Sequence, residues 1–425
     1  MKSILLKSAA AAICLTLTGW AASAIAADSP SGILKEGGKL AIIGDSITEQ
    51  KLYSNYIETY LRVCHPELKQ NVCQFGWGGE RASGYVSRMA NDTLSWFKPD
   101  AATICYGMND GRYTKITPEI EKAFEDPSIA ALKKFNELGT KVVLGGPGAV
   151  DTKFFRPGTD MAAVYNDNLA TLSGIAERIA KENGAIYVPL HKLMIDAMAK
   201  AKAANGADFP VCGTDGVHPG GDGHLVMAYA FLKGLGVSGD IASIEYNYKD
   251  SAASFSDGLK SVSVGKGSLE FESSRYPFCF FGNAKTPDTA SMLPFIPFNE
   301  DLNRFVFKAK GLPWDKVKVT WGTASKDFSK DDLEKGINLA AEFVDANPFK
   351  DQFQKVAKAV ADKQGFETIM IKSFFNNLPK LGNPEFRPTT DAFRDVTIAK
   401  RKEYLKAADD ALVPVKSTIK LQKAE

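Results

Sequence analysis

The sequence predicts an α/β fold with a parallel sheet covered by helices on both faces, followed by a mixed α+β region. Three observations lead to this prediction. Short strands alternate with helical stretches of 10–20 residues up to about residue 239. These strands are short and largely apolar, which indicates burial on both faces of the sheet. The alternation then stops. We therefore expect one domain over 27–239 and a second region over 240–425.

The order of elements follows from apolar runs and helix boundary signals. Thr117 and Pro118 form an N-cap and first-turn pair, and Asn183-Gly184 is a helix stop. The first domain has predicted strands at 39–43, 71–75, 101–106, 141–144 and 185–188, and predicted helices at 53–63, 81–96, 118–138, 160–183, 191–203 and 225–235. The second region has predicted strands at 261–264, 304–308 and 317–321, and predicted helices at 331–343, 349–376 and 390–411.

The first 26 residues have the pattern of a secretory signal peptide. Lys2 and Lys7 precede an apolar, alanine-rich run over 9–20, and Ala24-Ile25-Ala26 fits a cleavage site. We expect export, with a periplasmic or secreted protein after cleavage near Ala26. The alternative is an uncleaved N-terminal anchor, although the run is short for a membrane span.

Charge argues against nucleic acid or an anionic membrane surface as a partner. The chain has 52 basic and 50 acidic side chains, and loss of Lys2 and Lys7 with the signal peptide leaves equal numbers. The remaining sequence has no long basic run. It also has no apolar run of the roughly 18 residues that a membrane helix needs, so no integral membrane partner is expected.

Five cysteines follow the signal peptide, and export makes disulfides possible. Cys64 and Cys73 flank a short polar loop and form the first predicted pair, with Cys212 and Cys279 as a second. Cys105 lies in an apolar strand, which is typical of a buried free thiol. The absence of a CxxC motif or a Cys/His cluster in the sequence predicts no metal site.

The first predicted strand ends in Gly44-Asp45-Ser46, which presents a hydroxyl at the carboxyl edge of the sheet. Ligands of open α/β sheets bind at that edge. A serine hydroxyl is a weak nucleophile until a base removes its proton. The turn therefore raises the question of where such a base lies.

Of the four histidines, His218 is the best candidate for this base. It follows Asp215 by three residues in a loop rich in glycine and proline. An acid at that spacing can accept from the ring nitrogen that the serine does not use. Alone, such a pair also fits an incidental turn. His65 is expected at the surface, and His191 and His224 are expected to have structural roles.

Two further strand-end loops offer donors for an oxyanion. The loop at 76–80 contains glycines whose backbone N–H groups can approach a ligand closely, and the loop at 107–110 contains Asn109. Singly, each loop also fits an ordinary tight turn. Together with the serine turn, both loops are expected at the same edge of the sheet. Three such loops at one edge favour a shared site over three unrelated turns.

These four blocks resemble the ordered motifs of the SGNH (GDSL-type) hydrolases. The matching residues are Gly44-Asp45-Ser46-Ile47-Thr48, Gly79, Gly107-Met108-Asn109-Asp110 and Asp215-Gly216-Val217-His218, and the resemblance spans about 38–237. It implies a flavodoxin-like three-layer sandwich with a five-stranded parallel sheet. Gln74 occupies a position where the family usually has asparagine, and Gly79 is preferred over Gly78 because Glu80 follows it.

The resemblance also implies a role for each motif residue. Ser46 is the implied nucleophile, His218 the general base and acid, and Asp215 the residue that orients the histidine. The backbone N–H groups of Ser46 and Gly79 and the Asn109 side chain are the implied oxyanion donors. This mechanism requires no metal and no organic cofactor.

Four residues near the same edge are candidate substrate contacts: Glu49, Trp77, Arg81 and Tyr113. The alternative is that the charged residues form loop contacts and the aromatic residues pack in the core.

The combined prediction is an exported serine esterase that acts on short acyl esters, such as O-acetyl groups on a glycan. The alternatives are a catalytically silent carbohydrate-binding or scaffold protein and an acyltransferase. Oligomeric state and the role of 240–425 stay open.

Overall fold

A five-stranded parallel sheet organises the first half of the chain. The computed structural model describes residues 33–283, 285–381, 385 and 387–425, so the predicted signal peptide lies outside the described residues. The strands are β1 (Lys39–Gly44), β2 (Asn71–Gln74), β3 (Ala101–Cys105), β4 (Lys141–Gly145) and β5 (Ile186–Val188). Their order, β2-β1-β3-β4-β5, confirms the predicted α/β sandwich. The direction of winding reverses between β1 and β3, and such sheets bind ligands at the carboxyl end of this point.

Helices cover both faces of this sheet. They are α1 (Ser46–Glu49), α2 (Tyr53–Cys64), α3 (Ala82–Arg88), α4 (Pro118–Leu138), α5 (Met161–Glu182), α6 (Leu190–Asn205) and α7 (Gly221–Gly234). The Thr117 hydroxyl caps α4 by accepting the Ile120 N–H at 3.3 Å, as its position before Pro118 predicts. The single helix predicted over 81–96 is wrong, because α3 ends at Arg88 and a separate π-helical turn spans Thr93–Phe97.

The predicted disulfide between Cys64 and Cys73 is wrong, because the two thiols lie on opposite sides of the sheet. Successive side chains of a strand point to opposite faces. Val72 packs in the same apolar cluster as Cys64, whereas Cys73 packs in the cluster on the other face. Both cysteines are buried free thiols, as are the other three that follow the signal peptide, so the pairing of Cys212 with Cys279 is also wrong.

Two further sheets and five helices follow α7 in the described residues. The strands are β6 (Asp240–Asn247), β7 (Ala252–Phe255), β8 (Leu259–Gly265), β9 (Ser268–Ser273), β10 (Arg304–Lys310), β11 (Lys316–Trp321), β12 (Ala324–Ser329), β13 (Ile337–Asn338) and β14 (Val415–Lys423). They form a mixed sheet, β13-β10-β6-β7, and an antiparallel sheet, β12-β11-β14-β9-β8. The helices are α8 (Phe298–Leu302), α9 (Lys330–Lys335), α10 (Leu339–Glu342), α11 (Lys350–Ile369) and α12 (Arg387–Asp410).

Two of the predicted C-terminal helices differ from the structure. The helix predicted over 331–343 is interrupted at Gly336, whose φ of +109° is incompatible with a helix, and β13 follows directly. The helix predicted over 349–376 continues beyond α11 as wider π-helical turns over Met370–Asn377, here called the 370–377 segment.

The described residues form one compact unit, and a single apolar cluster joins both parts of the chain. It contains Ile57 of α2 and Leu225 of α7 together with Phe278, Phe305 and Trp321 from beyond residue 240. The position of a domain boundary near 240 stays a prediction. Among the residues that the structure describes, every helix is too short or too polar to cross a membrane.

The outer edge of β2 is sealed by charged side chains from α11 and α12. Lys363 and Arg401 both donate to the Val72 carbonyl, at 2.8 and 2.7 Å, and the Gln74 N–H donates to Glu367 at 3.1 Å. An edge strand otherwise presents such groups unpaired. Glu367 pairs with Lys363 at 2.6 Å and with Arg401 at 2.7 Å, and Glu58 of α2 forms an ion pair with Lys363 at 3.2 Å.

Candidate active site

The turn that contains Asp45 and Ser46 joins the end of β1 to α1. Asp45 caps the short helix, because its carboxylate accepts the Ile47 N–H at 2.9 Å. Gly44 is required, since a Cβ there would collide with the Thr48 hydroxyl and with the Cys105 carbonyl of β3. The turn therefore places Ser46, which is half-buried, at the carboxyl end of the sheet.

Ser46, His218 and Asp215 form a continuous hydrogen-bonded row across 172 residues of sequence. Ser46 Oγ lies 2.8 Å from His218 Nε2, and His218 Nδ1 lies 2.7 Å from Asp215 Oδ2. Because a carboxylate only accepts, the Nδ1 nitrogen carries the proton and Nε2 is left to accept from the serine. The arrangement can therefore generate a serine alkoxide equivalent for attack on a carbonyl.

The Asp215 carboxylate is held in its ionised form. Burial opposes ionisation, but the backbone N–H groups of His218 and Val217, each 2.9 Å from Oδ1, and the His218 ring together outweigh it. The pKa of Asp215 consequently lies below its ordinary value, although 55% of its side chain is exposed. Asp215 can thus orient the histidine without competing for the proton.

The histidine loop is fixed from both sides. Gly216 has φ +79° and its Cβ position is occupied by the backbone of Phe155, while its carbonyl accepts the Asp151 N–H at 2.8 Å. On the other side, Gln50 Nε2 donates to the Pro219 carbonyl at 3.2 Å. Gln50 thus connects the loop that contains His218 to α1. The sequence analysis did not predict this contact.

His224 is buried and supports Gln50, and both of its ring nitrogens have hydrogen-bond partners. Its Nδ1 accepts the Tyr53 N–H at 3.2 Å, so Nε2 carries the proton that it donates to Gln50 Oε1 at 3.2 Å. Burial, with a smaller contribution from His218, lowers the pKa of His224 to about 3. The prediction of a structural role is consistent with this geometry.

His65 does not lie at the surface, as the sequence predicted. It is buried, and its Nε2 lies 2.7 Å from the Ser238 carbonyl, so this prediction is wrong.

The loop after β2 presents an unused backbone donor. The Gly78 N–H donates to the Glu49 carboxylate, whereas the Gly79 N–H makes no hydrogen bond within the part of the chain that the structure describes. Gly79 has φ +71°, a left-handed conformation that glycine adopts readily. The geometry therefore favours Gly79 over Gly78 as the donor to a ligand.

The loop after β3 places the Asn109 amide beside Gly79. Asn109 Nδ2 donates to the Glu80 carbonyl at 3.1 Å, and Asn109 Oδ1 accepts the Tyr113 hydroxyl at 3.0 Å. Tyr113 thereby fixes which way the amide points. One N–H of the amide remains for a ligand. Ser46, Gly79 and Asn109 thus each follow the end of a strand, β1, β2 and β3 respectively, and each has a donor available.

Buried carboxyl groups tie the loops after β2 and β3 together. Asp110 accepts the Ala82 N–H and the Gly107 N–H, both at 3.0 Å. Glu80 binds Arg88 at 2.7 Å and accepts the Tyr106 hydroxyl at 2.6 Å. The sequence analysis did not assign these roles to Glu80 and Asp110. The signal that could have identified them is their position, because each acid directly follows a predicted site residue, Gly79 or Asn109.

The four candidate substrate contacts differ in how far other residues already engage their side chains. The Glu49 carboxylate is engaged by Gly78 and by Lys372, and the Trp77 ring lies 5.0 Å from Arg88 and 5.1 Å from Lys372. Tyr113 holds Asn109. Arg81 is exposed and lines a cavity of about 470 Å³ next to Asp110. Contact of these residues with substrate stays a prediction.

Residues 42–226 match the GDSL-like Lipase/Acylhydrolase family. This segment begins in β1, ends in α7 and contains every residue of the row and of the oxyanion loops. Over this segment the chain is a member of the SGNH/GDSL hydrolase family. It is accordingly an ester hydrolase of the GDSL type.

The chain is similar to known proteins over either about half or nearly all of its length. An acetylxylan esterase of Geobacillus stearothermophilus is 26% identical over 217 residues, which are 47% of this chain and 94% of that protein. A crystal structure of the Geobacillus acetylxylan esterase Axe2 is 22% identical, covers 48% of this chain and 97% of its own, and has a TM-score of 0.40. A structure described as BT4096, a gut microbial diltiazem-metabolizing enzyme, covers 92% of this chain and 98% of its own at 21% identity, with a TM-score of 0.70. The fold of the whole described chain is therefore shared with BT4096.

Proposed function

We propose that this GDSL-type hydrolase is a serine esterase that uses Ser46, His218 and Asp215 as a catalytic triad. The observation that supports this most directly is the row of hydrogen bonds from Ser46 Oγ through the His218 ring to Asp215, at 2.8 and 2.7 Å. Serine, histidine and acid occupy the three roles that acyl transfer through a covalent intermediate requires.

The proposed reaction has two halves. In the first, Ser46 Oγ attacks the ester carbonyl while His218 takes its proton, and the tetrahedral oxyanion accepts from Ser46 N–H, Gly79 N–H and Asn109 Nδ2. The C–O bond to the alcohol breaks as His218 returns the proton to it. In the second half, water attacks the acyl-enzyme with the same base, releasing the acid and free Ser46. Removal of one such oxyanion donor typically costs about 10²–10³ in kcat.

The proposed substrates are short acyl esters, with O-acetyl groups on carbohydrate as the leading class. The support is the 26% identity to an acetylxylan esterase over nearly the whole length of that protein. The test compares p-nitrophenyl acetate, butyrate and longer esters with acetylated xylo-oligosaccharides. Activity that rises with acyl chain length and is absent on acetylated glycans would contradict the substrate class.

The triad is tested by Ser46→Ala, for which we expect kcat to fall by on the order of 10⁴–10⁶ because the nucleophile is lost. Ser87→Ala is the matched control, since Ser87 is exposed and bonds within α3. Retention of activity by Ser46→Ala would reject the mechanism. Product analysis with added acceptor alcohols distinguishes hydrolysis from acyl transfer, because a transferase yields a new ester in place of free acid.

We further propose that the enzyme acts after export, on the basis of the signal-peptide pattern in residues 1–26. Cell fractionation and N-terminal sequencing of the product test this. A mature chain that begins near residue 27 is the expected result, and an intact N-terminus in the cytoplasmic fraction would contradict it.

A further inference from the structure

The structure assigns to Lys372, on the 370–377 segment outside the family region, the role of a positioning residue for the oxyanion loop. We infer that it acts through Glu49 and that residues beyond 240 thereby contribute to turnover. This inference rests on the proposed serine mechanism, because it concerns the same oxyanion hole. It gives the C-terminal region a function that the sequence left open.

Glu49 connects the nucleophile helix to the oxyanion loop. It is the last residue of α1, three residues after Ser46. One oxygen of its carboxylate accepts the Gly78 N–H, which is one peptide unit before the Gly79 N–H. The loop also packs directly on α1, since a Cβ on Gly76 would collide with the backbone of Thr48 and Glu49. A shift of Glu49 would consequently move the Gly79 donor.

Lys372 binds the other oxygen of the Glu49 carboxylate. Within the described residues it is the ion-pair partner of Glu49, because the nearby Lys51 ammonium donates to the Glu49 backbone carbonyl instead, at 2.6 Å. The two side chains are only 28% and 22% exposed, so solvent screens this pair less than a surface pair. The Lys372 ammonium also lies 5.1 Å from the centre of the Trp77 ring in the same loop.

The pair has an electrostatic consequence for catalysis. An uncompensated carboxylate beside the oxyanion loop would oppose the negative charge that develops on the substrate oxygen. The Lys372 ammonium, which binds the carboxylate directly, and the nearby Lys51 ammonium compensate that charge while leaving the carboxylate to hold the Gly78 N–H. Lys372 therefore serves both the position of the loop and the field at the oxyanion.

The 370–377 segment is held firmly enough to position a side chain. Met370, Ile371 and Phe375 are buried in the apolar cluster that also contains Phe75 at the root of the oxyanion loop. Asn376 Nδ2 donates to Asp92 Oδ2 at 2.9 Å. Lys372 thus extends from an anchored backbone, which keeps the entropic cost of the ion pair low.

Steady-state kinetics of Lys372→Ala on p-nitrophenyl acetate test the inference. We expect kcat to fall about 10- to 100-fold with KM changed less than about twofold, because the oxyanion donor is displaced in the transition state. Lys372→Arg should recover most of the loss. Lys358→Ala is the matched control, since that lysine also pairs with a carboxylate, Asp362 at 2.8 Å, on the exposed face of α11.

A second background separates positioning from general loss of structure. Glu49→Gln keeps an acceptor for the Gly78 N–H and needs no cation. Addition of Lys372→Ala to Glu49→Gln should therefore cost less than about threefold in kcat. An unchanged kcat in folded Lys372→Ala, or an equal loss in the Glu49→Gln background, would overturn the inference. Retention of near wild-type activity by Ser46→Ala would instead reject the proposed mechanism itself.

Discussion

At the scale of single residues, three buried aspartates titrate far above their ordinary range. Burial is the largest cause in each case, and it raises the pKa of Asp45 to about 7, of Asp110 to about 6 and of Asp222 to about 7. Asp222 is the most isolated of them. Its Oδ1 accepts the Gly223 N–H at 2.8 Å, whereas its Oδ2 has no hydrogen-bond partner in the described residues.

Asp222 makes stability depend on pH in a direction that follows from its raised pKa. The folded state binds the proton more tightly than the unfolded state, so the free energy of unfolding falls as pH rises from about 4 to about 7. The full difference corresponds to about 4 kcal/mol. In Asp222→Asn we expect the loss of stability between pH 5 and pH 8 to shrink by up to about 3 kcal/mol.

Urea unfolding of the wild type and of Asp222→Asn at both pH values measures this effect. Asp208→Asn is the control, because that carboxylate is 81% exposed and pairs only at the surface. Equal pH dependence in wild type and Asp222→Asn would contradict the prediction.

Tyr113 offers a second prediction at this scale. Its hydroxyl holds Asn109 Oδ1 at 3.0 Å, so Tyr113→Phe frees the amide to rotate away from the oxyanion. We expect kcat to fall about 5- to 20-fold with KM nearly unchanged, which is less than the 10²–10³ typical for loss of a whole donor. Kinetics beside Asn109→Ala check this. An increase in KM alone would support the substrate-contact role instead.

A site residue can be predicted from the sequence when the features that identify it lie next to it in the chain. Ser46 and Asn109 follow strands, and Asp215 and His218 share one turn, so residue type and position were enough to propose them. The choice of Gly79 within its loop depended on the family resemblance. Lys372 has no such signal, because its partner Glu49 lies 323 residues away and one lysine among many has no distinctive spacing.

At the scale of elements, α11 and α12 behave as a polar cover for the edge of the first sheet. Lys363, Glu367 and Arg401 supply the hydrogen bonds that a neighbouring strand would make with β2. The sequence pattern predicted both helices from their periodicity. It could not predict where they dock, since buried charged residues interrupt the apolar stripe that normally identifies a packed face.

Glu367 is the residue on which this cover depends most. Glu367→Ala leaves Lys363 and Arg401 buried with their charges less compensated and removes the acceptor of the Gln74 N–H. We expect a loss of about 3–5 kcal/mol in the free energy of unfolding, the usual cost of breaking a buried ion pair. Chemical denaturation measures it.

Glu403→Ala on the exposed face of α12 is the matched control for Glu367→Ala. Its partner Lys400 is at the surface, so we expect a loss below about 1 kcal/mol. Equal losses in the two variants would show that the buried network does not stabilise the fold.

At the scale of the whole molecule, the hydrolase region shares one apolar cluster with the residues beyond 240. The Geobacillus relative is matched over 94% of its own length by about half of this chain. Here α2 instead carries Glu58 and Arg62, whose partners Lys363 and Asp409 come from α11 and α12. The change of pattern near 240 was visible in the sequence, but these long-range contacts were not.

A chain that ends at Gly239 should therefore fail to fold on its own, because it leaves buried charges and a large apolar face uncovered. We expect loss of the near-ultraviolet circular dichroism signal and of soluble yield. Co-expression of residues 240–425 should restore part of both. A soluble fragment 27–239 with wild-type kcat/KM would contradict this prediction and also the inference about Lys372.

The sealed edge of β2 also sets a constraint on how the protein is made. The side chains that cover Val72 and Gln74 are encoded about 290 residues later. At translation rates of about 5–20 residues per second, the edge emerges from the ribosome roughly 15–60 seconds before its cover is synthesised. An uncovered edge strand is a template for intermolecular pairing. The nascent chain consequently passes through a vulnerable interval, and its yield should depend on chaperones that bind unfolded segments during synthesis.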